Sequence, residues 1–473
     1  MNHSTQSAAA DSRLSPRLLA IFAVVILADV MDLMDSTITN IAAPTIVQEI
    51  GGGESLVKWL GASYALALGV LLVVGGRLGD RYGRRRMFLI GLAGFTFASL
   101  ACGLAVDPAI LIGARLVQGG FGALLIPQGI SLLVASLTRE QMPTVFSIFG
   151  PVLGASAVVG PIVAGFIISA NIAGLTWRPV FLINIVLGTI GFIAAHRVLP
   201  RDQEKSNEQI DGIGAGLLGL SMLGFIYGLI EGSTNGWSAI PILMLAVGTI
   251  SFVLFGIRQR TASNPLIIPS LLNNRGFTSG LVLGLAYFTA VNGFAYVISL
   301  FFQLQLGMTP FQAALGLSPL MVGVIISSLF ARPLIPELGR RLVIYGLIVT
   351  LTGAAVLFLT FLGVGDNINA FWTAPSIFIL GAGMGACFSS IYDVAIGDVA
   401  TAEAGSASGA LSAVQQLATA IGSAVVTTVY FRQVSSHGGI SAATVSVAVV
   451  GAIIVLCLAL VWLLPEKAPA DQH

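Results

Sequence analysis

The chain has 473 residues, of which 56% are apolar and 9% charged, and its formal net charge is +1. A soluble domain carries about 25% charged residues, so 22 basic and 21 acidic side chains cannot cover this chain with a polar skin. Most of its surface must face lipid. The apolar content excludes a disordered chain, and the near-neutral charge without a separate basic region argues against nucleic acid as a partner.

Apolar runs recur at 17–40, 58–77, 87–106, 109–135, 143–170, 179–199, 210–231, 237–257, 277–303, 312–331, 341–363, 372–396, 405–430 and 441–464. Each is long enough for a helix to cross about 30 Å of hydrocarbon. Runs of this length favour an all-α membrane protein over a β-barrel, whose strands alternate over about 10 residues. The first run is too long and too acidic at its far end for the core of a cleaved leader, so none is expected.

Basic residues set the orientation. Of the 22 Lys and Arg, Lys58, Arg178 and Arg432 fall on one side of the spans and Arg115 falls inside one; all the others fall on the opposite side. The positive-inside rule then predicts an even number of spans with N- and C-termini cytoplasmic. The longest polar stretch between spans is 200–211, and a second break at 258–276 precedes span 9. The predicted arrangement is 6 + 2 + 6: an N-terminal tail 1–16, a six-helix bundle 17–200, two extra helices with their loops 201–276, a second six-helix bundle 277–465 and a tail 466–473. A short repeat fits this division. Gly83-Arg84-Arg85 follows span 2, and Gly339-Arg340-Arg341 follows span 10, eight spans later.

Polar groups within the spans are few. Span 1 carries Asp29, Asp32 and Asp35. Steps of three residues turn each about 60° from the last, so the three share one helix face. An ionised Asp at mid-bilayer costs about 2.5–3.5 kcal/mol, so this face is expected to line a watery cavity. Close carboxylates also resist ionising together, which suits proton uptake. A position of Asp35 near the outer end, as a cap, is the bland alternative. Arg115 is permanently charged and needs a partner at membrane depth, with Asp29 or Asp32 as candidates. Gln118 and Gln128 lie on the same span. Asn40, Asn292, Tyr296, Asp393 and Gln415 are further candidates for cavity lining, and Glu231 is expected at the outer surface. The aromatics of span 9 suit flat hydrophobic or cationic ligands, or else an interfacial belt.

Other elements speak of motion and of absent chemistries. The loop after span 2 holds Gly76, Asp80, Arg81, Gly83, Arg84 and Arg85, and an Asp among arginines can form a latch that makes and breaks. In the second copy Pro336 stands opposite Asp80, so the main latch is expected in the N-terminal half. Span 5 holds Gly150, Pro151, Gly154, Gly160, Pro161 and Gly165, which permit close helix approach and, through proline, bending. Cys102, Cys387 and Cys457 lie in apolar runs as small core residues, and no His lies mid-span. No metal, nucleotide or other cofactor is expected, and no phosphate-binding G-x-x-x-x-G-K-[ST] occurs.

These motifs resemble the major facilitator superfamily, and specifically its drug:proton antiporter branch with fourteen transmembrane helices. The loop Gly76–Arg86 looks like the superfamily signature between helices 2 and 3. Residues Leu33–Pro44 are similar to the branch's L-D-x-T-x-x-N-x-A-x-P element, with Met34 before the Asp as a departure. Arg115-Leu116-Val117-Gln118-Gly119 resembles its R-x-x-Q-G element, and Gly150–Gly165 its Gly/Pro-rich antiporter motif. The resemblance covers essentially the whole chain. It implies a plasma-membrane secondary transporter rather than an enzyme. Such a transporter exports drugs or other small hydrophobic or cationic compounds by alternating access, driven by protons and working as a monomer. It also implies a proton-coupling role for Arg115. A carrier of an endogenous metabolite or self-made antibiotic on the same fold is the alternative.

Overall fold

A computed structural model describes residues 15–137, 141–200, 211–267, 269–396, 399 and 404–466. Fourteen long helices dominate it: α1 (Pro16–Ile50), α2 (Gly53–Tyr82), α3 (Arg84–Gly103), α4 (Pro108–Ser136), α5 (Met142–Ala170), α6 (Arg178–Val198), α7 (Gly212–Asn235), α8 (Ala239–Thr261), α9 (Arg275–Leu300), α10 (Pro310–Ala331), α11 (Arg340–Val364), α12 (Ala370–Ile396), α13 (Ala404–His437) and α14 (Gly439–Leu460). No strand occurs among the described residues. Twelve of the helices are apolar and long enough to cross a membrane. The other two are α1, with three Asp in its middle, and α5, whose described apolar stretch is Val159–Ala170.

Local sequence sets the ends. Pro16, Pro108 and Pro310 open α1, α4 and α10, where a missing N–H costs nothing. Ser15, Asp107 and Thr309 cap the exposed N–H groups of the same three helices. Several helices outrun their apolar runs. α1 continues ten residues beyond residue 40 to Ile50, because backbone hydrogen bonding does not stop at the edge of the hydrocarbon.

The packing repeats with an offset of eight helices. α1 packs on α5 and α6, and α9 on α13 and α14. α4 packs on α2 and α3, and α12 on α10 and α11. α3 packs on α6, and α11 on α14. Between the halves, α2 meets α13 and α10 meets α5. The short sequence repeat makes the same turn twice, although the arginine that ties it down stands one place apart in the two copies. Gly83 and Gly339 take positive φ, 92° and 47°, ahead of α3 and α11. Arg85 then donates to the carbonyl of His196 at the end of α6, and Arg340 to that of Leu464 beyond α14.

Two features seat the rest. α7 and α8 pack on each other, and α7 lies against both α2 and α13. At one end of α7, Glu231 accepts from Ser55, Trp59 and Asn235, and Lys58 donates to Thr234. At the other end, Asp211 caps α7 and pairs with Arg258 of α8. The opposite face of α8 exposes Ile242, Leu243, Ile250, Phe252, Val253 and Ile257, as a lipid-facing helix should. Contacts between the halves gather at the face remote from Pro16 and Leu464. There Phe166 meets Phe311 edge-on, Tyr296 donates to the Val57 carbonyl, and Ser299 donates to that of Asn40.

Candidate functional site

The three acidic residues of α1 are buried, at 7% exposure for Asp29, 6% for Asp32 and 0% for Asp35. Arg115 of α4 pairs with Asp35, not with Asp29 or Asp32 as expected from the sequence. Depth explains the difference. Arg115 lies about two turns into a helix that starts at the face remote from the termini. It therefore reaches the carboxylate farthest along α1.

The pair sits in a buried polar network that leaves only the Nε of Arg115 without a partner among the buried polar atoms of these two side chains. Gln118 donates to Asp35 Oδ1 at 2.8 Å and to Ser99 Oγ at 2.7 Å. Its own Oε1 accepts from Arg115 Nη1 at 2.8 Å. Asn184 of α6 donates to Asp35 Oδ1 at 3.0 Å and approaches Ser99 Oγ at 3.3 Å. The Arg115 guanidinium stacks over the ring of Tyr64, 4.3 Å from its centroid, with Phe181 at 5.7 Å. The hydroxyl of Tyr64 donates to Asp32 Oδ1. Neither carboxylate oxygen of Asp29 has a hydrogen-bond partner.

Tyr64, Ser99 and Asn184 were not singled out from the sequence. Depth is the signal that finds them. Asn184 stands about two turns into α6, which starts at the same face as α4, and Ser99 stands one turn before the end of α3. All three are polar groups inside apolar runs.

The remaining candidates stand elsewhere. Gln128 donates to the Gly75 carbonyl at 2.7 Å and lies against Gly79, tying α4 to α2 beside the arginine-rich loop. Tyr296 is buried and holds α9 to α2, and Asn292 donates to Phe288 of its own helix. Asn40 offers its carbonyl to α9, and Gln415 is half-buried on α13. The span-9 aromatics Tyr287, Phe288, Phe294, Tyr296, Phe301 and Phe302 are all core residues rather than a lipid-facing belt. The side chain of Asp393 lies outside the described residues.

In the loop motif, Arg81 lies over the Tyr82 ring, Arg85 reaches α6, and Arg77 donates to the carbonyls of Asn264 and Pro265. Gly76 is half-buried beside Pro127, Gly83 makes the turn, Arg84 opens α3, and the side chain of Asp80 lies outside the described residues. In α5, Gly160 faces Met34 and Thr37 of α1, whereas Gly165 faces Pro310 and Phe311 of α10 across the halves. Pro161 is buried between them; at Gly150, Pro151 and Gly154 only the helical backbone is described. Among the described residues no group of three or more His, Cys, Asp or Glu is placed to hold a metal ion.

Comparison with known proteins fits this architecture. The chain is 37% identical over 426 residues to the probable actinorhodin transporter of Streptomyces coelicolor, covering 89% of this chain and 74% of that one. It is 28% identical over 421 residues to the multidrug efflux pump LfrA of Mycolicibacterium smegmatis, covering 89% and 82%. The crystal structure of the POT-family transporter PepTSo shares the fold, with a TM-score of 0.67 at 13% identity over 94% of this chain and 97% of that one. Residues 25–423 match the Major Facilitator Superfamily. The chain therefore belongs to that superfamily, and is a multi-pass transporter of the cell membrane rather than an enzyme.

Proposed function

We propose that this transporter exports small hydrophobic or cationic compounds in exchange for protons. The buried Asp35–Arg115 pair, with two more carboxylates on the same face of α1, carries the reading. A proton taken up by a helix-1 carboxylate weakens its hold on Arg115 or on a cationic substrate. The substrate is then released on the side from which the proton came. The similarity to drug and antibiotic exporters supports the direction of transport.

All fourteen long helices cross the membrane in this reading, with both termini cytoplasmic, as the basic residues require. The eight-helix offset in packing supports a 6 + 2 + 6 division, in which the two halves rock around the site by alternating access. Gly160, Pro161 and Gly165 lie at contacts that must yield during rocking, and the Gly76–Arg85 loop latches the cytoplasmic side. The protein works as a monomer without a cofactor.

The test is efflux from inverted vesicles under an imposed proton gradient, with a panel of planar cations and neutral aromatics. Asp35→Asn is expected to abolish gradient-driven movement at normal expression; unchanged efflux sinks the role of Asp35. A second reading, a carrier for a self-made antibiotic, is favoured by the actinorhodin-transporter similarity. Strict preference for a single compound of the same panel would select it.

A further inference from the structure

We propose that Tyr64 is the positioning residue that transmits the charge state of α1 to the interface between the halves; this rests on the proton-coupled reading above. Three contacts meet on this side chain. Its hydroxyl donates to Asp32, and its ring carries the Arg115 guanidinium that pairs with Asp35. Its helix is one of those that pack against the other half, α2 on α13. Gly61 and Gly69 of α2 lie directly on Ser423 and Gln416 of α13.

The surroundings are shaped for this link. A side chain at Gly122 of α4 would meet Asp32 Oδ1 at 2.8 Å and Tyr64 Oη at 3.0 Å, so glycine keeps room for the hydrogen bond. A side chain at Gly119 would press on the Tyr64 backbone carbonyl, so α2 and α4 touch at this level. The charged groups around Asp32 are Asp29 and Asp35 on its own helix and Arg115 on α4. The α5, α6, α9 and α10 helices bring no acidic or basic residue between their terminal turns. On α9, Tyr287 and Tyr296 donate to the carbonyls of Met384 and Val57, away from Asp32.

A hydroxyl bond to an ionised carboxylate is about twice as strong as one to a neutral acid. While Asp32 is ionised, Tyr64 holds α2 to α1. When Asp32 takes a proton, Tyr64 keeps its own proton and its bond weakens. The ring beneath Arg115 is then free to shift, and α2 moves against α13. Both charge sites thus act on one helix through one side chain.

The test reads distance rather than transport. Spin labels at Ala135→Cys on α4 and Leu334→Cys beyond α10, both exposed and on the side of the termini, report the separation of the halves in the full-length reconstituted protein. With Tyr64 and Asp32 intact, the distance distribution is expected to shift between pH 8 and pH 5. Tyr64→Phe keeps the ring under Arg115 and is expected to abolish that shift. Asp32→Asn, which keeps an acceptor oxygen, is expected to hold the low-pH distribution at every pH. A Tyr64→Phe protein that titrates like its parent overturns the role of Tyr64 and leaves proton coupling standing. No pH-dependent shift in the parent overturns both.

Discussion

Asp35 illustrates how the site is balanced residue by residue. A buried carboxylate is tolerated at membrane depth only when its charge is paired and its oxygens are bonded, and here Arg115, Gln118 and Asn184 all donate to it. Removing one donor leaves the others in place. Asn184→Ala is expected to cost about 1–3 kcal/mol, read as a lowered melting temperature in detergent and weaker gradient-driven efflux. Arg115→Lys keeps the charge but loses the planar guanidinium, whose Nη1 donates to both Asp35 and Gln118 and whose face stacks on Tyr64. It is expected to lower transport roughly tenfold or more, from the loss of about 1.5–3 kcal/mol of charge-assisted bonding; full activity would show that charge alone suffices. At this scale the sequence offered the charged residues plainly, because a charge in an apolar run is conspicuous. The pairing was misread because three carboxylates on one face are equivalent until the depth of α4 is known.

Among the helices, close approach is the organising force. In lipid, helices gain little from burying apolar surface, so small residues that let backbones touch decide which pairs form. Gly75 of α2 lies on the Ala123 carbonyl of α4, and Gly381 and Gly385 of α12 lie on carbonyls of α10. The two helix pairs are equivalents in the repeat, with the glycines on opposite members. Gly75→Val is expected to cost about 1–3 kcal/mol through overpacking, visible as a lower melting temperature without change in substrate selectivity.

The α7–α8 pair is held at its loop end by Asp211. Burial alone would raise this carboxyl, but the Arg258 guanidinium and the Gly214 N–H outweigh it and hold the group below the usual carboxylate range. A carboxyl depressed in the folded state contributes stability above its unfolded value of about 3.9 and loses it as pH falls through the folded value. Asp211→Asn is therefore expected to lower stability at pH 7 by about 1 kcal/mol, as for a partly exposed pair. It should also flatten the acid side of the melting-temperature profile below about pH 4. The helices themselves were legible from apolar run length, but not all of their ends, since α1 runs ten residues past its apolar run. Nor were their contacts legible, because small-residue patterns occur on helix faces that pack and on faces that do not.

For the whole molecule, Phe166–Phe311, Tyr296 and Ser299 join the halves on the face remote from the chain ends, and Gly69 on Gln416 joins them nearer mid-span. Alternating access requires these contacts to open. A side chain at Gly61 would lie 3.3 Å from Ser423 Cβ, close to the spacing of about 3.8 Å that a disulfide adopts. Gly61→Cys with Ser423→Cys is therefore expected to stop efflux when oxidised and to recover it on reduction. Cys102, Cys387 and Cys457 are buried and would not interfere. Oxidised protein that still transports would exclude movement at this contact.

The sequence by itself determined the solvent, the helices and the few charges at membrane depth, because each follows from local composition and run length. It carried the internal repeat as three residues, Gly83-Arg84-Arg85 against Gly339-Arg340-Arg341, too short to prove itself. Only the tertiary structure decided that these turns tie α3 to α6 and α11 to the end of α14. It also decided that Asp35 rather than its neighbours faces Arg115, and that Tyr64, Ser99 and Asn184 complete the site. Span limits give the approximate depth of each group, but which helices stand side by side, and how each is rotated, is set by packing and encoded in no local pattern.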